Sequence, residues 1–124
     1  TGWRDDVGKI LPAFDALVIP SVSEACSLVV LEAMAARVVV FANETAGGPA
    51  ELIEDKINGF LVDFDKPENV ARMILNVFLD DKRKIQIIEN AFQRVMSDFD
   101  MTIFIRNIRD FYNSFFPAIE EEVL

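Results

Sequence analysis

The chain has 124 residues, 52% of them hydrophobic and 11 of them Phe, with a formal charge of −9. That length suits one domain with a real core, and the apolar content argues against disorder. The acidic balance argues against nucleic acid and anionic lipid as partners of this chain, since both are held by Lys and Arg; the absence of His excludes Ser-His-Asp, Cys-His and His-ligated zinc chemistry.

The start, TGWRDD, lacks the basic and apolar regions of a signal peptide. No apolar run reaches the ~18 residues of a membrane span. One cysteine, Cys26, excludes an internal disulfide and fits a reducing, cytoplasmic setting. Its plain role is that of a small core residue.

In chain order, short β-like runs alternate with helical patterns, as in a parallel sheet covered by helices. Residues 5–11 predict a short helix with Asp5 and Asp6 at its positive end and Pro12 closing it. Residues 16–20 predict a buried strand stopped by Pro20. After a loop over 21–27, residues 28–36 predict a helix with Ser27 as N-cap. Residues 38–42 form the next strand, β-branched and apolar on both faces.

Gly47 and Gly48 then mark a loop, residues 49–54 a short helix with Pro49 in its first turn, and residues 59–63 a third strand. From Pro67 to the end the pattern is helical. Val70, Ile74, Val77 and Phe78 make one stripe, Ile85, Ile88, Phe92 and Val95 another, and residues 103–116 a third. The fold class is α/β: a partial Rossmann-like parallel sheet of about three strands with covering helices and a helical C-terminal region. Residues 1–66 are the α/β part and residues 67–124 the helical part of one domain. So small a sheet leaves a long open edge, so the edge is covered or the chain is a piece of a larger fold; we expect the second.

The stretch EACSLVVLE sets Glu24 and Glu32 eight positions apart. With 10 Glu in the chain, roughly one such pair arises by chance, so the spacing alone carries little. Its context carries more. Glu24 falls in a loop after a buried strand, where ligands of open α/β sheets bind, and the N–H groups of residues 26–29 at the helix start suit an anion. Glu32 is the one charged residue between Glu24 and Arg37, in a helix whose apolar neighbours predict burial. A buried carboxylate needs partners, either a basic residue such as Arg37 or Arg4 or a ligand's adjacent hydroxyls.

In family order and spacing, the segments GWRDDV, LPAFDALVIPSVSE, LVVLEAMAA, VVVFANETAGGPAELIED and NGFLVDFDKPENVA resemble the retaining glycosyltransferases of the two-domain GT-B fold, group 1 or family 4. The likeness spans about residues 2–81 and corresponds to the later part of the C-terminal, nucleotide-sugar-binding domain. It implies transfer of a hexosyl group from a nucleoside-diphosphate sugar with retention, in glycan, lipopolysaccharide or capsule biosynthesis, with no cofactor and no metal. By resemblance Glu24 is the catalytic-site residue that positions the transferred sugar, and Glu32 holds the ribose hydroxyls. The backbone of Ala25, Cys26, Ser27 and Leu28 faces sugar and diphosphate, Asp6 and Val7 lie near the base, and Gly47 and Gly48 line the same mouth.

The family's Gly-aromatic-Gly after the first Glu is here Ala25, Cys26 and Ser27, which keeps the space but loses glycine's φ freedom. Its Gly-x-Pro before the next strand is Arg37, Val38 and Val39, making Arg37 a solvated helix-end charge or the partner of a carboxylate. The resemblance further implies an N-terminal acceptor domain and a diphosphate-clamping Arg and Lys that these residues do not contain. We therefore expect a truncated donor-binding piece, inactive alone, from a cytoplasmic parent peripheral at the inner membrane face. The alternative is a non-catalytic pseudo-transferase or accessory interaction module. Ile103, Phe104, Ile108, Phe111, Phe115 and Phe116 either pack on the sheet or form a face for the absent domain; the sheet edge and these helices are candidate self-association surfaces.

Overall fold

The computed structural model describes residues 2–116. The helical expectation for 117–124 lies outside the described residues. Helix α1 (Val7–Ile10) runs into a 3-10 turn (Leu11–Ala13), followed by β1 (Ala16–Ile19), α2 (Leu28–Ala35), β2 (Val39–Asn43), α3 (Gly47–Leu52) and β3 (Phe60–Val62). Three longer helices complete the order: α4 (Pro67–Leu79), α5 (Asp81–Asp98) and α6 (Met101–Phe115). Pro12 thus sits inside a 3-10 turn instead of ending a longer helix, because its fixed φ fits a tight first turn. Helix α3 begins at Gly47, two residues before the expected Pro49.

The three strands are parallel in the order β1-β2-β3, with Val18 opposite Phe41 and Phe41 opposite Phe60. Every residue of β2 is buried, as a central strand covered on both faces must be. Its side chains alternate between two cores. Val40 and Ala42 join Val30, Ala33 and Met34 of α2 and Leu52 of α3, while Val39 and Phe41 join Phe60, Val62, Val70, Val77 and Ile87. Phe41 and Phe60 stack at 4.8 Å between ring centroids. Full burial of such a side chain contributes ~1.5–3 kcal/mol.

Helix α5 reaches both cores from one of its faces, Ile87 packing into one and Ala91, a turn later, into the other. The expected stripe of α4 holds, with Val70 and Val77 buried and Ile74 and Phe78 packed beside them. The expected stripe of α5 holds in part: Ile88 and Val95 pack beside the cores, but Ile85 is exposed and the fully buried positions are Ile87 and Ala91. Breaks of one residue (Asp80) and of two (Phe99 and Asp100) separate the helices, where Asp80 accepts from the Arg83 N–H at 3.0 Å and Asp100 from the Thr102 N–H at 2.8 Å.

Helix α6 buries no residue and packs on α5, away from the sheet, which corrects the expectation that its aromatics pack there. Phe104, Ile108, Phe111, Phe115 and Phe116 are all exposed, and Ile103 is half-buried. An amphipathic period makes the helix, but it does not supply a cover for the apolar face.

Candidate nucleotide-sugar site

The carboxyl ends of β1 and β2 are tied together by Asn43, a polar residue closing an otherwise apolar run. Its side-chain N–H donates to the Pro20 carbonyl at 3.3 Å, and its Oδ1 accepts from the Thr45 N–H at 3.1 Å and hydroxyl at 3.0 Å. This fixes the roots of two loops, one leading to Glu24 and the other to Gly47. Sequence reasoning missed Asn43; the signal was an amide where the hydrophobic run VVVFA stops.

The two loops then meet. The Gly48 N–H donates to the Glu24 carbonyl at 2.8 Å. A Cβ on Gly48 would lie 2.9 Å from the backbone oxygens of both Glu24 and Ala25, so no side chain fits. Glu24 itself is half-buried, and Ala25 and Cys26 are exposed. The exposed thiol corrects the expectation of a core cysteine: the loop holding it passes over the sheet end instead of entering it.

Ser27 occupies the N-cap position of α2, as expected, but makes no side-chain cap bond. Its hydroxyl is buried and without a hydrogen-bond partner among the described residues. The Leu28 N–H turns back to the Cys26 carbonyl at 3.2 Å and the Val30 N–H to the Ser27 carbonyl at 3.0 Å. Leu28 is exposed. Among the described residues, positive φ outside glycine occurs at Arg37 and Lys56 only, so Ala25, Cys26 and Ser27 adopt their loop without the left-handed region.

Glu32 is exposed, against the expectation of burial. Helix α2 buries Val30, Ala33 and Met34 against the sheet and α5, and Glu32 lies off that face. The desolvation argument for its partners therefore falls, and so do the partners suggested for it. Arg4 is engaged with Asp6 in two bonds of 2.7 Å, and Arg37 with Glu89 at 2.6 Å. The Arg4 guanidinium holds the Asp6 carboxyl below its ordinary range.

Glu32 instead faces a concavity of about 570 Å³ that it lines with Val7, Gly8 and residues 2–5. Two groupings result: Glu24 and Ala25 against Gly47 and Gly48, and Glu32 with Val7. Asp6 lines neither grouping itself; its carboxylate is bonded to Arg4, which lines the concavity.

Arg37 resolves as a carboxylate partner. It follows the C-cap of α2 at φ +63°, the left-handed position a glycine favours, with its guanidinium 4.1 Å from the Phe92 ring centroid. The Arg37 charge keeps the Glu89 carboxyl low, with Gln93 adding a second hydrogen bond.

Known proteins share this fold. The model of the family "Glycosyl transferases group 1" matches residues 1–94. A galactosyltransferase of Escherichia coli that acts on GlcNAc-diphosphoundecaprenol is 27% identical over 90% of the chain and 28% of its own length. A D-inositol 3-phosphate glycosyltransferase of Corynebacterium kroppenstedtii is 34% identical over 87% of the chain and 24% of its own length. The crystal structure of Anabaena Alr3699/HepE with UDP-glucose superposes with a TM-score of 0.81 at 29% identity, covering 92% of this chain and 31% of that one. The C-terminal domain of a Francisella tularensis group 1 glycosyltransferase gives 0.69 at 29% identity, over 82% and 53%. The chain spans less than a third of the curated relatives named here. With three-quarters of its residues inside the family model and a matching Rossmann-like fold, the chain belongs to the glycosyl transferases group 1 family.

Proposed function

We propose that this chain is the donor-binding part of a retaining hexosyltransferase that uses a nucleoside-diphosphate sugar. The observation that carries the reading is the contact of Gly48 with the Glu24–Ala25 backbone at the carboxyl ends of the strands, the place where ligands of open parallel sheets bind. A relative of the same fold holds UDP-glucose. In this reading Glu24 hydrogen-bonds the transferred sugar, and Glu32, exposed and not paired with Arg4 or Arg37, accepts from the ribose hydroxyls. The backbone at Ala25, Cys26, Ser27 and Leu28 faces the diphosphate. Val7 and the turn at Asp6 border the base, and Gly47 and Gly48 wall the sugar end.

The chemistry follows from charge. The bond from the anomeric carbon to the diphosphate oxygen breaks with its electron pair leaving on phosphate. The acceptor oxygen bonds the same face of that carbon, and its proton passes to the departing phosphate. Fixed N–H dipoles stabilise the charge as it grows, and no protein nucleophile is required. Acceptor binding falls to residues outside this chain, and the chain alone is inactive. The setting is cytoplasmic glycan, lipopolysaccharide or capsule synthesis, without metal or other cofactor.

Titration calorimetry with UDP, GDP and ADP tests the reading. One of the three binds, Glu32→Ala weakens that nucleotide, and Glu24→Gln weakens the nucleotide sugar more than the free nucleotide. A chain that binds none of them is a non-catalytic interaction module.

A further inference from the structure

In a chain of net charge −9, one concavity is lined by cations and by no carboxylate. It measures about 440 Å³ and lies beside the amino end of β3, whereas the Glu24–Gly48 contact stands past the carboxyl ends of β1 and β2. Lys56 of the turn before β3, Arg72 of α4 and Arg83 of α5 bring charge to it from separate elements. Arg72 and Arg83 are exposed and form no ion pair among the described residues. The Lys56 ammonium rests 2.8 Å from Asp55 in a surface pair that water screens.

The backbone holds these groups in place. Lys56 has φ +64°, a left-handed conformation that a glycine enters freely and a lysine at a cost. Its N–H donates to the Gly59 carbonyl at 2.8 Å, and the buried Asn58 locks the same turn by accepting from the Glu54 N–H at 2.8 Å. Asn90 of α5 donates to the Ile57 carbonyl at 2.9 Å, which ties the turn to that helix. The Arg83 guanidinium stands 5.8 Å from the Phe60 ring centroid. A second concavity of about 380 Å³ shares Lys56 and Arg83 with the first and adds Lys82. Asp80 is the one carboxylate on its wall, and it already accepts from the Arg83 N–H.

The rest of the lining favours one kind of anion. Two guanidinium groups and an ammonium suit the several oxygens of a phosphate dianion better than a lone carboxylate. Asn69 and Asn76 are exposed on the same wall, with amides that can give to and accept from hydroxyl groups. Phe60, Met73 and Val77 offer an apolar floor to C–H surface.

We propose that this concavity binds a small phosphate monoester with a hydroxylated carbon body, of the sugar-phosphate or polyol-phosphate class. Arg72, Arg83 and Lys56 take the phosphate, and Asn69 and Asn76 the hydroxyls. The site is separate from the nucleotide-sugar site and does not depend on the donor-binding reading.

Amide shifts of the nitrogen-labelled chain are followed by NMR as glucose 6-phosphate, inorganic phosphate or glucose is added. Calorimetry gives affinities for wild type, Arg72→Gln, Arg83→Gln and Lys56→Gly. Glucose 6-phosphate is expected to move the amides of residues 56, 69–76 and 82–84, to bind more tightly than inorganic phosphate, and to weaken with added salt. Glucose is expected not to bind. Each Arg→Gln change should cost about tenfold in affinity, as loss of a charge-assisted hydrogen bond does. Lys56→Gly should lose affinity while unfolding at an equal or higher denaturant concentration, so its loss is not one of folding. Equal affinity in all variants, shifts confined to residues 24–28, binding no tighter than that of inorganic phosphate, or no binding by wild type overturns the proposal. So does capture of the chain by vesicles containing phosphatidic acid without binding of glucose 6-phosphate, which assigns the cations to a lipid headgroup.

Discussion

Gly48 gives its N–H to the Glu24 carbonyl at 2.8 Å, and its missing side chain is what lets the two backbones meet. The position is occupied by contact, with its space filled by peptide atoms that cannot rotate away.

Gly48→Ala is therefore expected to displace the Glu24–Ala25 peptide and cost about 1–3 kcal/mol, as overpacking does. Gly47 is the control, since a Cβ there meets only the Glu24 oxygen at 3.9 Å, an ordinary contact. Gly47→Ala should be neutral or slightly stabilising, by up to about 1 kcal/mol from helix propensity. Denaturant midpoints of the two variants decide this, and equal midpoints would sink the argument.

Arg37 poses the opposite case, a side chain where glycine fits better. At φ +63° it carries strain of about 1–2 kcal/mol, offset by its stacking on Phe92 and the ion pair with Glu89. Arg37→Ala keeps the strain and loses both contacts. Arg37→Gly loses the contacts and the strain. We expect the glycine variant to be the more stable of the two by about 1 kcal/mol, read from urea unfolding.

Acid should loosen the surface in a defined order. Asp6, Asp63, Asp81, Glu89 and Asp100 all have lowered values, the first four chiefly through Arg4, Lys66, Lys84 and Arg37 and the last through the Thr102 N–H. A folded value below the unfolded one means the contribution is full above about pH 4–5 and is lost as pH falls through the folded values. Lys66 runs the other way: its raised value keeps a contribution that disappears as pH rises past about 10.5. Asp100 caps α6, which buries nothing, so amide protection over residues 101–115, taken relative to the intrinsic exchange rate at each pH, should fall first on acidification. Protection in α6 that outlasts that of α5 at pH 3 would contradict this.

The apolar face of α6 predicts association. Phe104, Phe111 and Phe115 are 55%, 62% and 64% exposed. Sedimentation at rising concentration should show reversible self-association that Phe104→Glu with Phe111→Lys abolishes without loss of helicity. A monomer throughout would remove the prediction.

Much of the fold was legible because its signals are local. Proline ended β1, β-branched runs marked β2, and the period of α4 chose Val70 and Val77 correctly. The misses share one cause: pattern shows which residues are alike, not what covers them. In α5 the small Ala91 was overlooked beside larger isoleucines, although its size is what lets the helix approach the sheet. Around Glu32 the apolar neighbours suggested burial, yet only one side of α2 meets a partner. Asn43 escaped notice because its work is to join loops distant in sequence, and Arg37 became readable only with its φ and with Glu89, fifty-two residues away. Gly48 and Glu24 were set together by resemblance, and in the structure their backbones touch.

Strand β1 lies at the outside of the sheet, and its consequence concerns how this chain can aggregate. Only four residues, Ala16–Ile19, are in strand conformation, and Pro20 follows at once. A foreign strand laid along that margin finds a short ladder and then a residue with no amide proton to offer. Strand addition along that margin is thereby cut short, which leaves the three-residue edge of β3 and the helical faces as the surfaces through which molecules can cohere.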